Sequence, residues 1–283
     1  MSQIIKIGVI KAGCIGTLPL LEFLLDERAE RTDIDVSVAG SGAKLGPKQC
    51  RESASLIIKQ KPDLALLIGP AQQAPGPAEA RRLLAEAHIP TMVISDSPTK
   101  KIAKELESAG FGYFIITADS MIGARREFLD PTEMALYNSD AIRVLAATGA
   151  FNLLINQLEA VIQSLKGGKK PSLPHVIVDK ETAVEAAGYK NPYAQAKALA
   201  AYEIASRVAA LNTAACFKIE EWTRYVPLTA AGHEMMRTAA KLADEARELE
   251  KSEDTVLRKP HSKNGSLGEK RALIKKPKKT EKS

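Results

Sequence analysis

The chain is poor in aromatic side chains: Phe, Trp and Tyr supply only 5% of its 283 residues, with a single Trp. Binding of single-stranded nucleic acid usually relies on aromatic stacking platforms, so this composition disfavours it. Cysteine is scarce too. Cys14, Cys50 and Cys216 are odd in number and far apart, so no disulfide framework is expected and a reducing cytosol is the natural setting. Neither a P-loop nor a G-x-S-x-G elbow occurs. His88, His175 and His261 show no ligand spacing, and His233-Glu234-Met235-Met236-Arg237 begins like a zinc-protease helix but carries Arg where the second ligand belongs. Metal catalysis is therefore not expected. The opening MSQIIKIGVIKAG is an apolar strand pattern cut short by a Gly turn. It is too brief for a signal peptide or a membrane span, and no membrane role is expected.

The chain does hold 45% hydrophobic residues. With so few aromatics these are mostly Ala, Leu, Ile and Val, the composition of helices covering a parallel sheet. The formal charge is +6, unevenly spread: residues 259–283 hold nine Lys/Arg against two Glu, leaving the body at −1. This basic tail can touch nucleic acid or an anionic membrane. The favoured reading is a solvated terminal extension.

Strands and helices alternate over residues 1–120, which predicts a Rossmann-like α/β coenzyme-binding domain with a parallel sheet. Strands are expected at 4–10, 35–39, 64–69, 91–95 and 113–117, with helices at 18–28, 47–60, 78–87 and 100–109. Residues 121–252 read as a mostly helical bundle with a short strand near 175–179, and 253–283 as a basic C-terminal segment. Helices are expected at 131–148, 150–165, 192–211 and 230–251. Ligands of parallel sheets bind at the carboxyl ends of the strands, which singles out the loops 11–17, 69–77 and 95–98.

The first loop holds Gly13 and Gly16 but not the dinucleotide spacing, and Thr17 can cap the helix that follows. After the second strand stands Ala39-Gly40-Ser41-Gly42, with no carboxylate for a ribose, so NAD is disfavoured. Lys44 and Lys48 leave NADP open. The loop from Gly69 to Pro77 carries three prolines and two glycines, a stiff path whose amides suit a planar polar heterocycle or simply make a rigid connection. Arg125-Arg126-Glu127 can clamp an anion or form an internal ion network. Asp130-Pro131-Thr132-Glu133 resembles a capping box, a role favoured over catalysis for Asp130 and Glu133. What remains is chemistry that needs little from side chains, and hydride transfer fits that description.

The segments PAQQAPGP (70–77), MIGARREFLDPTEMALYNSD (121–140), NPYAQAKALAAYEIA (191–205), RYVPL (224–228) and HEMMRTAAKLADEARELEKS (233–252) resemble the coenzyme F420-dependent methylenetetrahydromethanopterin dehydrogenases of archaea. The resemblance runs over nearly the whole length. It implies reversible hydride transfer from the methylene-pterin to the deazaflavin coenzyme F420, giving the methenyl cation. It also implies an α/β domain, a helix bundle, and a homohexamer built as a trimer of dimers. Family members often have Asn where this chain has Cys14.

On this resemblance the coenzyme is expected at Gly13, Cys14, Ile15, Gly16, Thr17, Gly69, Pro70, Ala71, Asp96 and Ser97. The pterin is expected at Arg125, Arg126, Glu127, Asn138 and His233. Asp96, Glu127 and Asp130 are electrostatic candidates for steadying the cation, with no acid or base required. The alternatives are an NADP-linked pterin dehydrogenase, favoured by Lys44 and Lys48, and a non-enzymatic nucleic-acid-binding protein using the basic tail.

Overall fold

A computed structural model describes residues 4–27, 31–120 and 130–275. The first strand, β1 (Ile5–Lys11), leads through a Gly-containing turn into α1 (Thr17–Glu27). There follow β2 (Ile34–Gly40), α2 (Pro47–Lys59), β3 (Leu64–Ile68), α3 (Pro75–Glu86) and β4 (Thr91–Asp96). A 3-10 turn over Ser97–Ile102 then opens α4 (Ala103–Ser108), and β5 (Gly112–Ile116) ends this part. Strands β3, β4 and β5 are buried along their whole length, as sheet centres covered on both faces must be.

Helices then dominate: α5 (Pro131–Ala147), α6 (Ala150–Lys166), α7 (Lys180–Ala187), α8 (Pro192–Phe217) and α9 (Trp222–Ser252). Between α6 and α7 lies β6 (His175–Val178), which pairs in parallel with β5. The sheet order is β2-β1-β3-β4-β5-β6, all parallel. The chain reverses direction across the sheet between β1 and β3, which opens a crevice above their carboxyl ends.

One hydrophobic core joins the sheet to the bundle. Val9, Leu66, Ile94 and Phe114 pack with Tyr137, Leu154, Tyr202 and Met236. Ala fills much of the α8–α9 contact, where Ala198, Ala201, Ala205, Ala239 and Ala243 are buried, and small side chains let those axes approach closely.

Several boundaries differ from the expectation. Helix α3 starts at Pro75 rather than at 78, because Pro suits the first helical position. Helix α8 runs six residues past the expected 211. Helix α9 starts at Trp222, taking Pro227 inside it while Tyr225 and Thr229 are buried. Packing there overrides the local cost of Pro. Helix α7 was not expected; Asp179 caps it, accepting from the Thr182 amide at 2.9 Å.

The C-terminal segment departs most. A solvated extension does not describe residues 257–272, where β7 (Leu257–Arg258) and β8 (Arg271–Ala272) pair as a hairpin. Its loop docks on a buried ion cluster. Arg31 donates to Asp33 at 2.7 Å and to Glu159 of α6 at 2.8 Å, all three side chains being buried. Lys166 reaches both Asp33, at 2.8 Å, and the Asn264 carbonyl, at 2.9 Å. The Thr32 amide donates to the Lys263 carbonyl at 2.8 Å. Gly265, at φ +78°, sits so close that a Cβ there would lie 2.1 Å from Asp33 Oδ2, so only Gly fits.

At the α7–α8 junction Asn191 Oδ1 accepts from the amides of Tyr193 (2.8 Å) and Ala194 (3.2 Å), and its Nδ2 donates to Glu253 at 2.7 Å. Asn191→Ala is expected to lower stability by about 1 kcal/mol, read as a shifted urea midpoint.

Candidate active site

The carboxyl ends of β1, β3, β4 and β5 bring together three loops. The first runs from Ala12 to Gly16. Its Gly13 amide donates to Ser41 Oγ at 3.1 Å. Ile15 is buried in the core, whereas Cys14 is exposed at the rim. The second loop, Gly69 to Ala74, touches the first. A Cβ on Gly69 would lie 2.0 Å from the Ala12 carbonyl oxygen, so the two backbones meet where no side chain fits.

The second loop is held from below. Ser95 Oγ donates to the Gly69 carbonyl at 2.7 Å, Asp96 Oδ1 accepts from the Ala71 amide at 2.9 Å, and Thr99 Oγ1 accepts from the Gln72 amide at 3.1 Å. Gln72 is fully buried, and the Arg81 guanidinium donates to its carbonyl. Ala71 is fixed at φ +48°, a left-handed conformation rare for Ala. Burial pushes the Asp96 carboxyl up to about 6, with the charge of Asp119 adding to the rise and the Ala71 amide opposing it.

The third loop follows β5 and contains Asp119, fully buried. Its Oδ1 accepts from the Gly16 amide at 2.7 Å, and its Oδ2 accepts from the Thr17 amide at 2.8 Å and from the Thr17 hydroxyl. Three donors on two oxygens is the pattern of an ionised carboxylate. Burial raises this carboxyl, and the same three donors work against the rise. The start of α1 is therefore satisfied by the protein's own anion, not left open for a ligand's, and Thr17 serves as a donor to Asp119, not as the helix cap. Among the described residues, the amides of Cys14, Ile15 and Gln73 have no protein acceptor.

Beside Asp119, Ser120 Oγ lies 2.5 Å from the Tyr137 hydroxyl, which also accepts from Asn212 Nδ2 at 3.2 Å. Burial lifts the Tyr137 phenol well above its ordinary range, so it stays protonated. The Tyr137 ring packs on the His233 ring, centroids 4.5 Å apart. His233 Nδ1 lies 3.1 Å from Glu133 Oε1, and Arg237 approaches the same oxygen at 3.5 Å. Only half of the expected capping box forms: Asp130 accepts from the Glu133 amide at 2.9 Å, while the Glu133 side chain turns to α9. Asp130, exposed, is thus a helix cap.

Asn138 is half-buried on α5, next to Tyr137. Arg125, Arg126 and Glu127 lie outside the described residues. Ser97 faces a separate cleft of about 280 Å³, shared with Thr117, Tyr202, Lys180 and Arg207. Both of those cations pair there with Glu203, at 3.2 and 2.9 Å. Lys44 and Lys48 are exposed after β2. Among the described residues no group of three His, Cys, Asp or Glu gathers as metal ligands do, and no single helix is long and apolar enough to cross a membrane.

Residues 5–278 match the methylene-5,6,7,8-tetrahydromethanopterin dehydrogenase family. The chain belongs to this family. It is 52% identical over 275 residues to the F420-dependent methylenetetrahydromethanopterin dehydrogenase of Methanothermobacter thermautotrophicus, a match covering 97% of this chain and all of that one. The enzyme of the same name from Archaeoglobus fulgidus is 51% identical over the same span. A solved F420-dependent methylene-tetrahydromethanopterin dehydrogenase, in complex with methylene-tetrahydromethanopterin and coenzyme F420, superposes with a TM-score of 0.93 at 42% identity. That superposition covers 98% of this dehydrogenase-family chain and all of the solved one.

Proposed function

We propose that the coenzyme lies across the crevice between β1 and β3, and the pterin against α5 and α9. The activity this arrangement serves is that of the family. The chain is an F420-dependent methylenetetrahydromethanopterin dehydrogenase, moving a hydride between 5,10-methylene-tetrahydromethanopterin and coenzyme F420. Neither the NADP-linked alternative nor nucleic-acid binding gains support from the relatives, whose names specify F420.

The observation that carries the placement is the set of acceptor-free amides at Cys14, Ile15 and Gln73, on the two loops that touch at Gly69. A deazaflavin's pyrimidine carbonyls need such donors, all the more as negative charge builds on that ring during reduction. In this reading residues 1–120 supply the coenzyme's walls, with Gly13, Cys14, Gly69, Pro70, Ala71 and Asp96 nearest. Residues 121–252 supply the pterin's, through Arg125, Arg126, Glu127, Asn138 and the face backed by His233. The C–H bond of the methylene carbon breaks with both electrons, and the hydride bonds to the deazaflavin. No proton leaves the reacting carbon, so the chain's part is to hold two rings with reacting carbons about 3–3.5 Å apart and to exclude water. Asp96, which holds the second loop through the Ala71 amide, is the carboxylate assigned to steady the nascent methenyl cation. The assembly is read as a homohexamer, a trimer of dimers, working in the cytoplasm.

Purified protein is expected to reduce coenzyme F420 with methylene-tetrahydromethanopterin and to leave NADP unreduced. Coenzyme F420 is also expected to slow alkylation of Cys14, followed by mass spectrometry, while the pterin alone is not. Equal alkylation rates with and without F420 would remove the coenzyme from the first loop.

A further inference from the structure

The segment after β5 makes an unusual span. In the sheet, β1 and β5 stand three places apart, with β3 and β4 between them. That separation is roughly 14 Å at ordinary strand spacing. Asp119, just past the end of β5, nonetheless meets Gly16 and Thr17, which follow β1. The next side chain points to the bundle: Ser120 pairs with the Tyr137 hydroxyl, and the Tyr137 ring packs at a tilt on the ring of His233. Two consecutive buried residues of one turn thus hold opposite walls of the crevice, one facing the sheet loops and the other the helices.

We infer that Asp119 and Ser120 are a pair of positioning residues that set the separation between the coenzyme wall and the pterin wall. The inference rests on the placement of the two ligands given above. Neither residue touches a ring. Asp119 spends both oxygens on the first loop and fixes the stretch that carries the open amides of Cys14 and Ile15. Ser120 fixes Tyr137 and through it the face of α5 and α9. Adjacency along the backbone makes the distance between the walls a local property, insensitive to how sheet and bundle breathe as larger bodies. Hydride transfer depends steeply on such a distance.

The test is steady-state kinetics with each substrate varied in turn, on the full-length chain. Asp119→Asn keeps one acceptor but turns an amide donor toward donors. Its KM for coenzyme F420 is expected to rise roughly tenfold or more while the KM for the pterin stays put. Ser120→Ala is expected to do the reverse, raising the pterin KM by about threefold or more. If Asp119→Asn does not fold, Thr17→Val, which removes only the hydroxyl donor, is expected to raise the KM for F420 by about threefold. A structural role alone would lower the melting temperature and move both KM values together, or neither. Folded variants whose two KM values are unchanged, or rise in parallel, overturn the proposal. Loss of Cys14 protection by F420 in the wild type overturns the placement beneath it, so the two failures are told apart.

Discussion

Gly69→Ala is expected to cut turnover by roughly a hundredfold and to lower stability by about 3 kcal/mol. The added methyl would sit 2.0 Å from the Ala12 carbonyl oxygen. That oxygen cannot step aside cheaply, because the Ala12 amide is bonded to the Ile68 carbonyl at 2.8 Å and the Gly69 amide to the Ile94 carbonyl at 3.1 Å. Relief must come from parting the first and second loops, the two walls assigned to the deazaflavin. Urea denaturation measures the stability change, and F420 reduction at saturating pterin measures the rate. A variant with wild-type kinetics would place the coenzyme away from this contact.

Arg31→Ala is expected to cost about 3–5 kcal/mol, because it strands Asp33 and Glu159 as buried carboxylates without their shared partner. Arg31→Lys should rescue little, since one ammonium cannot serve both carboxylates with the paired bonds a guanidinium makes. The pH dependence has a definite sign. Burial pushes the Asp33 carboxyl up, but hydrogen bonds from Arg31 and Lys166 outweigh it and hold the group at about 2, below its ordinary 3.8. The stability this confers is complete above the ordinary value and is lost as pH falls from there toward 2. In the Arg31→Ala variant Asp33 loses its main partner, so acid unfolding should begin at higher pH than in the wild type. Thermal melts across an acid pH series would show this, and coincident acid transitions would refute it.

Through residue 120 the order of strands and helices is legible because Pro and Gly punctuate it: Pro47 opens α2 and Gly69 closes the stretch after β3, although Pro75 and Pro77 read as loop and hide the true start of α3. The short β6 is legible as a brief β-branched run, Val176-Ile177-Val178, but its place beside β5 is not, since pairing leaves no local mark. Helix α7 carries a readable sign, the Asp179 and Thr182 capping pair. Arg125, Arg126 and Glu127 were named from a motif, and the described residues do not include them.

At the site, Gly69, Ala71 and Asp96 do converge. Asp119 is a carboxylate just past a strand's end, a position where ligand sites of parallel sheets gather, and that is its one local signal. Nothing local reveals that it reaches Gly16, 103 positions earlier. The same holds for Arg31 and Glu159, 128 positions apart. Long-range partners of buried charges are set by topology, and a periodicity of two or 3.6 residues carries no trace of them.

The turn around Gly265 has a consequence for how the molecule is made. Arg31 and Asp33 leave the ribosome first, Glu159 and Lys166 well after them, and the stretch from Lys263 to Gly265 that closes over them later still. A nascent chain therefore carries this cluster of charge uncapped from the emergence of Lys166 until the Gly265 turn follows and covers it.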